Sequence, residues 1–161
     1  MRDHQGTLDC VSESGVGTTF TIRLPLSNDR SSQSQLPRQG TLPQGLCALL
    51  VDDEVAVRAA ISELLRETGV RVRTAASGRE ALISLAEHSD IDVVLLDRSM
   101  PDAPGESFVP RIREIAPRAK ILFFTGQTIE LEVAAIVDGI VQKPVQSKDL
   151  IVAMQRVLRK R

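Results

Sequence analysis

The residues of this 161-residue chain whose types and spacing suit chemistry are mostly acidic, and they are grouped. Asp52-Asp53-Glu54 follows the apolar run Leu46 to Val51. Asp97 follows Ile91 to Leu96, Thr125-Gly126 follows Ala119 to Phe124, and Lys143-Pro144 follows Gly139 to Gln142. One Asp at a strand end is ordinarily a turn or cap residue. Polar groups at four strand ends mean more, because ligands of an open parallel sheet bind beyond the carboxyl ends of its strands. On one such sheet edge, Asp52, Asp53 and Asp97 fall within a few ångströms of one another. Like charges about 4 Å apart repel by roughly 1 to 4 kcal/mol, depending on the local dielectric. The cluster therefore calls for shifted protonation or a bound cation. Hard carboxylate oxygens with room for water suit Mg2+ rather than zinc. Lys143 adds a positive charge on a mobile arm.

Other chemistries lack their parts. No His, Cys or Ser is paired with a base for acyl transfer, and no Gly-x-x-x-x-Gly-Lys-Ser/Thr string occurs. A carboxylate nucleophile, a divalent metal, a hydroxyl and a lysine suit phosphoryl transfer to Asp. The carboxylate attacks phosphorus in line, while Mg2+, Lys143 and Thr125 neutralise the equatorial oxygens. Glu54 reads as the start of a helix rather than a metal ligand. Cys10 and Cys47 have neither disulfide nor metal-site spacing and read as small buried hydrophobes in a reducing cytoplasm. His4 and His88 read as surface residues, and the Arg156 to Arg161 cluster as a solvated helix end.

Alternating strand and helix patterns must position these groups. Strands are expected at Leu46 to Val51, Val70 to Ala75, Ile91 to Leu96, Ala119 to Phe124 and Gly139 to Gln142. Helices are expected from Glu54 to Thr68 and from Ser77 to His88, with Ser77 and Glu80 as a capping box. Three more are expected over Pro104 to Ile115, Ile129 to Val137 and from Ser147, as cap, toward Arg161. This alternation predicts an α/β fold, a doubly wound five-stranded parallel sheet with helices on both faces. Ahead of it, Gly6 to Val11 and Thr18 to Leu24 read as a β-hairpin about a Gly-rich turn, ending at Pro25. The expected organisation is thus a hairpin piece at 1–26, a flexible Ser, Gln, Pro and Gly-rich linker at 27–45, and the α/β domain at 46–161.

Composition narrows the function classes. Lys plus Arg number 20 against 21 Asp plus Glu, and this near-neutral balance argues against nucleic acid as the main partner. Four Phe with no Trp or Tyr leave little for base stacking. The longest apolar run is too short to span a bilayer, and Met-Arg-Asp-His-Gln-Gly offers no signal-peptide core, so no membrane insertion and a cytoplasmic location are expected.

Residues 46–161 resemble the receiver domain of two-component response regulators. The resemblance rests on Val51-Asp52-Asp53-Glu54, on Leu95-Leu96-Asp97 with Met100-Pro101 and Gly105, on Phe124-Thr125-Gly126, and on Lys143-Pro144. It implies a flavodoxin-like sheet of order 2-1-3-4-5. It implies that Asp97 is the phosphoacceptor, and that Asp52, Asp53, Asp97 and the backbone carbonyl of Ser99 hold Mg2+. Thr125 becomes the switch hydroxyl, Lys143 the phosphate contact, and Lys143–Pro144 a cis peptide. Such a domain is not an enzyme in the usual sense; it catalyses its own phosphorylation and dephosphorylation. Ser99 and Gln127 flank the site and are expected to influence the lifetime of the phosphoryl group.

Two features depart from the family. Ile140 stands where a switch Tyr or Phe is common, and the Thr125-to-Lys143 interval is short, so the fourth helix is cut back. Both fall on the face of fourth helix, fifth strand and fifth helix that many relatives use for output or dimerisation, and a homodimer through that face is among the expected partners. The segment Gln5 to Leu8 with Ser14 to Pro25 resembles the last hairpin of a histidine-kinase ATP-binding domain, without the parts that bind ATP. Kinase end, linker and receiver is the order of the C-terminal portion of a hybrid histidine kinase. The expected partners are a sensor histidine kinase or a His-phosphotransfer protein. With no effector domain after Arg161, output is expected through protein contacts or feedback on the kinase portion. The alternatives are a degenerate receiver that acts as a non-phosphorylated interaction module, and an aspartate-nucleophile phosphohydrolase of the haloacid dehalogenase type. The latter needs a second Asp where Ser99 stands.

Overall fold

The computed structural model of this chain describes residues 7–13, 15, 17–23, 42–126 and 131–159. The chain divides into two units, residues 1–38 and 39–161.

In the first unit, β1 (Thr7–Glu13) and β2 (Gly17–Arg23) pair antiparallel, with Thr7 opposite Arg23 and Glu13 opposite Gly17. Gly15 in the connecting turn has φ +78°, a left-handed conformation that side chains resist. Ser12 and Thr18 are joined through their hydroxyls at 2.8 Å, and Asp9 pairs with Arg23. Cys10 is exposed, contrary to the buried thiol expected from its residue type. A two-stranded hairpin has no second layer of its own to cover it. His4 lies outside the described residues.

In the second unit, β3 (Cys47–Val51), β4 (Arg71–Ala75), β5 (Val93–Asp97), β6 (Lys120–Thr125) and β7 (Gly139–Gln142) form one parallel sheet. Its order is β4-β3-β5-β6-β7, which is 2-1-3-4-5 counted within the unit. β3 and β5 are buried throughout because helices cover both faces, whereas the edge strands β4 and β7 are partly exposed. Side chains alternate sides along each strand. Ala48, Leu50, Leu95 and Phe124 meet α1 (Val55–Glu67) and α5 (Ser147–Arg159) through Leu65, Leu150 and Met154. Leu49, Val51, Leu96 and Phe123 meet α2 (Gly78–Glu87) and α3 (Val109–Ile115) through Leu85 and Ile112. Among the described residues no helix is long and apolar enough to cross a membrane.

Several local details differ from the sequence expectation. The third helix is split into a 3-10 turn, Gly105–Phe108, and α3. Pro110 has no N–H to give the Glu106 carbonyl, which instead accepts from Val109. In the described residues α4 covers only Leu131–Ala134. The Asp138 N–H donates to the Ile121 carbonyl at 2.9 Å, so the chain is already extended there. Ser77 accepts from the Glu80 N–H at 3.2 Å, but the Glu80 carboxylate reaches the Ala76 N–H at 2.7 Å, one residue before the usual capping-box donor. Ser147 is the first helical residue of α5 rather than its cap; the Gln146 carbonyl receives the first helical bonds. Leu42, within the stretch read as linker, is 7% exposed and belongs to the core. Cys47 is buried as expected, and His88 is half-buried rather than on the surface, its ring Nδ1 3.0 Å from the Ser84 carbonyl.

Candidate functional site

β3 and β5 are neighbours with Val51 opposite Leu96, so the acidic residues after them leave the sheet side by side. Asp52 is fully buried, Asp97 is 3% exposed and Asp53 is half-buried. Each offers a carboxylate oxygen within 4.8 Å of the other two. Lys143 reaches this group from the end of β7. Its Nζ is 2.8 Å from Oδ2 of Asp52 and 3.2 Å from Oδ2 of Asp97, and 4.7 Å from the centre of the Phe124 ring. Three carboxylates against one ammonium leave two formal negative charges in a mostly buried space. Burial pulls the Lys143 ammonium toward neutrality. The hydrogen bond to Asp52 and the charges of Asp97 and Asp52 outweigh it, and its pKa lies above the ordinary lysine value.

The two deepest acids share one local design. Oδ1 of Asp52 accepts from the Glu54 N–H at 2.9 Å, and Oδ1 of Asp97 faces the Ser99 N–H at 3.4 Å. Each side chain thus braces the turn that follows its own strand, a habit of Asp in turns. Glu54 is the N-cap residue of α1, as its position suggested. Thr125, 1% exposed, ends β6, and its carbonyl accepts from the Lys143 N–H at 2.7 Å. The Lys143–Pro144 peptide is cis. Gly105 lies against the phosphoacceptor candidate: a Cβ there would sit 2.5 Å from the Asp97 carbonyl oxygen, so no side chain fits.

All the side chains singled out in the sequence, Asp52, Asp53, Asp97, Thr125 and Lys143, therefore sit at the carboxyl edge of the sheet, and Ser99 lies in the loop that leaves it. Gln127 lies outside the described residues. Ile140 is 39% exposed on β7. Sequence reasoning missed two contributors. Arg58 in α1 donates from Nη1 to the Asp52 carbonyl at 2.5 Å; its place one turn after Glu54 was the available signal. Arg98, next to Asp97, pairs with Glu106 through Nε at 3.3 Å to both carboxylate oxygens and Nη2 at 3.1 Å. Arg98, Ser99, Met100, Pro104 and Glu106 line a groove of about 250 Å3.

The donor set is all carboxylate oxygen, and a cation, Lys143 Nζ, already bridges two of the three acids. Such a set fits Mg2+.

Comparison with known proteins agrees with this geometry. The family model for the response regulator receiver domain matches residues 48–155. The chain is 31% identical over 169 residues to the sensor kinase CckA of Brucella abortus, covering 96% of this chain and 18% of that protein. It is 29% identical over 167 residues to the autoinducer 1 sensor kinase/phosphatase LuxN of Vibrio harveyi, covering 89% of this chain and 20% of LuxN. The chain thus spans about a fifth of the length of these relatives. Among solved structures, the chemotaxis protein CheY4 of Vibrio cholerae superposes with a TM-score of 0.65 at 32% identity, covering 70% of this chain and 98% of CheY4. With the matching family model, the 2-1-3-4-5 sheet and the acidic edge, the chain belongs to the response regulator receiver domain family of two-component signalling.

Proposed function

We propose that this chain takes up a phosphoryl group on Asp97 from a phosphohistidine, in a two-component pathway or phosphorelay. The observation that carries the reading is the convergence of Asp52, Asp53 and Asp97 within 4.8 Å, with Lys143 bonded to two of them. An Asp97 oxygen bonds to phosphorus as the P–N bond to the donor imidazole breaks; the imidazole leaves with the electron pair and is protonated by solvent. Asp52, Asp53, Asp97 and the Ser99 carbonyl would hold Mg2+, which when bound supplies neutralising charge for the phosphoryl oxygens. Lys143 pairs with a phosphoryl oxygen in place of Asp97, and the Thr125 hydroxyl takes another. Water attack on the acyl phosphate then regenerates Asp97, so the domain catalyses both its loading and its unloading.

The donor is a sensor histidine kinase or a His-phosphotransfer protein. Residues 1–26 are the end of a histidine-kinase ATP-binding domain, a reading supported by the alignment with CckA over 96% of the chain. Residues 27–45 link that end to the receiver of a hybrid kinase, which works in the cytoplasm. Exposed Ile136 just after α4, Ile140 on β7 and Val152 on α5 support pairing of two copies on that face.

The test is intact mass after incubation with Mg2+ and an acyl phosphate such as acetyl phosphate. One added phosphoryl group is expected on the native chain, none with chelator and none on Asp97→Asn. A folded, Mg2+-bound protein that gains no mass refutes the reading and leaves an interaction module.

A further inference from the structure

Resting on that reading, we infer that the Arg98–Glu106 ion pair is a clamp that positions the Ser99 carbonyl for the metal. Arg98 is a positioning residue, with Glu106 as its anchor. The loop from Arg98 to Glu106 starts at the phosphoacceptor candidate and carries Ser99. It is closed at its base three times. The Gly105 N–H donates to the Arg98 carbonyl at 2.9 Å. Gly105 packs on the Asp97 carbonyl so closely that a Cβ would lie 2.5 Å away. The Arg98 guanidinium grips the Glu106 carboxylate with three contacts of 3.1 to 3.3 Å.

The pair is well placed for this. The Arg98 side chain is 19% exposed and that of Glu106 27%, so it is more protected than an ordinary surface ion pair. A planar guanidinium on a carboxylate fixes direction as well as distance. The Ser107 N–H and hydroxyl both donate to the Pro104 carbonyl, so the segment holding Glu106 is itself rigid. The N–H of Ser99 itself reaches Asp97 Oδ1 at a long 3.4 Å. Opening the clamp removes the side-chain closure and leaves the loop to the Gly105 backbone contacts and this long bond, which fix the direction of the Ser99 carbonyl less firmly. Partners that hold a metal ligand in place typically contribute about 10- to 100-fold in affinity.

The sign of the effect separates positioning from simple charge. If Arg98 and Glu106 acted only through their fields, Arg98→Gln would tighten Mg2+ binding and Glu106→Gln would weaken it. A clamp requires both substitutions to weaken it, by about tenfold. It also requires the double variant to be no weaker than either single, because one interaction is lost once. The measurement is Mg2+ titration by calorimetry on the full chain, with Asp53→Asn as control and thermal melts of each variant. Weakening by both singles, without further loss in the double, supports the clamp. Opposite signs, or Mg2+ affinity unchanged while melting falls, overturn it. A native chain that binds Mg2+ no better than Asp53→Asn refutes the acidic metal site instead, which is a separate failure.

Discussion

Replacing Lys143 by Met tests the electrostatics on which the whole site depends. The ammonium is within 3.2 Å of two carboxylates that are almost entirely buried. Without it, acidic oxygens up to 4.8 Å apart face each other unscreened. At an effective dielectric of about 20, one such pair repels by about 3.5 kcal/mol. The variant should therefore lose about 3 kcal/mol of stability at pH 7 without divalent metal, in line with the cost of leaving a buried charge unpaired. Mg2+ serves the same carboxylates, so it should restore more stability to the variant than it adds to the native chain. At 100 times its Kd the recovery is about 2.7 kcal/mol. Urea unfolding followed by far-UV circular dichroism, with and without Mg2+, suits a chain that has no Trp or Tyr. A variant within about 0.5 kcal/mol of native stability in chelator, or equal Mg2+ stabilisation of both proteins, would refute the reasoning.

Three further outcomes follow from the geometry. Asp138 accepts from the Ile121 N–H at 2.8 Å and from Arg113 at 2.7 Å. Burial opposes its ionisation, but these bonds and the Arg113 and Lys120 charges win, and its pKa lies below the ordinary 3.8. Its stabilisation is therefore full above that value and lost as pH falls through the lower folded value. Asp138→Asn should cost about 1 to 3 kcal/mol at pH 7, and its deficit should shrink in melts taken below pH 4. Gly105→Ala should cost about 1 to 3 kcal/mol through overpacking and weaken Mg2+ binding, read by melting and calorimetry. A thiol reagent should label the exposed Cys10 at once and the buried Cys47 only on unfolding, because burial and the nearby Asp90 charge raise the Cys47 pKa.

Much of this was written in the chain, for identifiable reasons. Central strands buried on both faces need continuous apolar residues, so Cys47–Val51 and Val93–Asp97 stood out. Strand ends then placed Asp52, Asp97, Thr125 and Lys143 on one edge. What escaped depends on contacts rather than pattern. The split of the third helix is a consequence of where Pro110 falls relative to Glu106. The chain after α4 is drawn onto β6 by Asp138, whose N–H donates to the Ile121 carbonyl and whose carboxylate accepts from Arg113, twenty-five positions away. Leu42 looked like linker because its neighbours are Pro, Gln and Gly, yet one buried Leu is enough to dock a turn. The Arg98–Glu106 pair was invisible because a charged residue beside a strand end is ordinarily solvated.

The site also couples distant parts of the second unit. Asp52 and Lys143 are 91 positions apart, and their bond forms only when β3, β5, β6 and β7 are in register. A cation that binds the acids therefore stabilises the sheet order itself, because the unfolded chain has no such cluster to offer. The converse holds for charge placed on Asp97. It acts first on Lys143, which bonds Asp97 directly and whose N–H is tied to the Thr125 carbonyl. Thr125 is paired in register with Gln142, and Phe123 with Ile140, on the half-exposed edge strand β7. A change at the acidic edge is thus two bonded steps from that surface. The packed β5–β6 core between them, with Leu95, Leu96, Leu122 and Phe123 fully buried, is too dense to absorb it by gradual deformation. A Cβ at Gly139 on β7 would lie 2.8 Å from Leu122 and 3.0 Å from Val157, so β7, which carries Ile140, has little slack against the core.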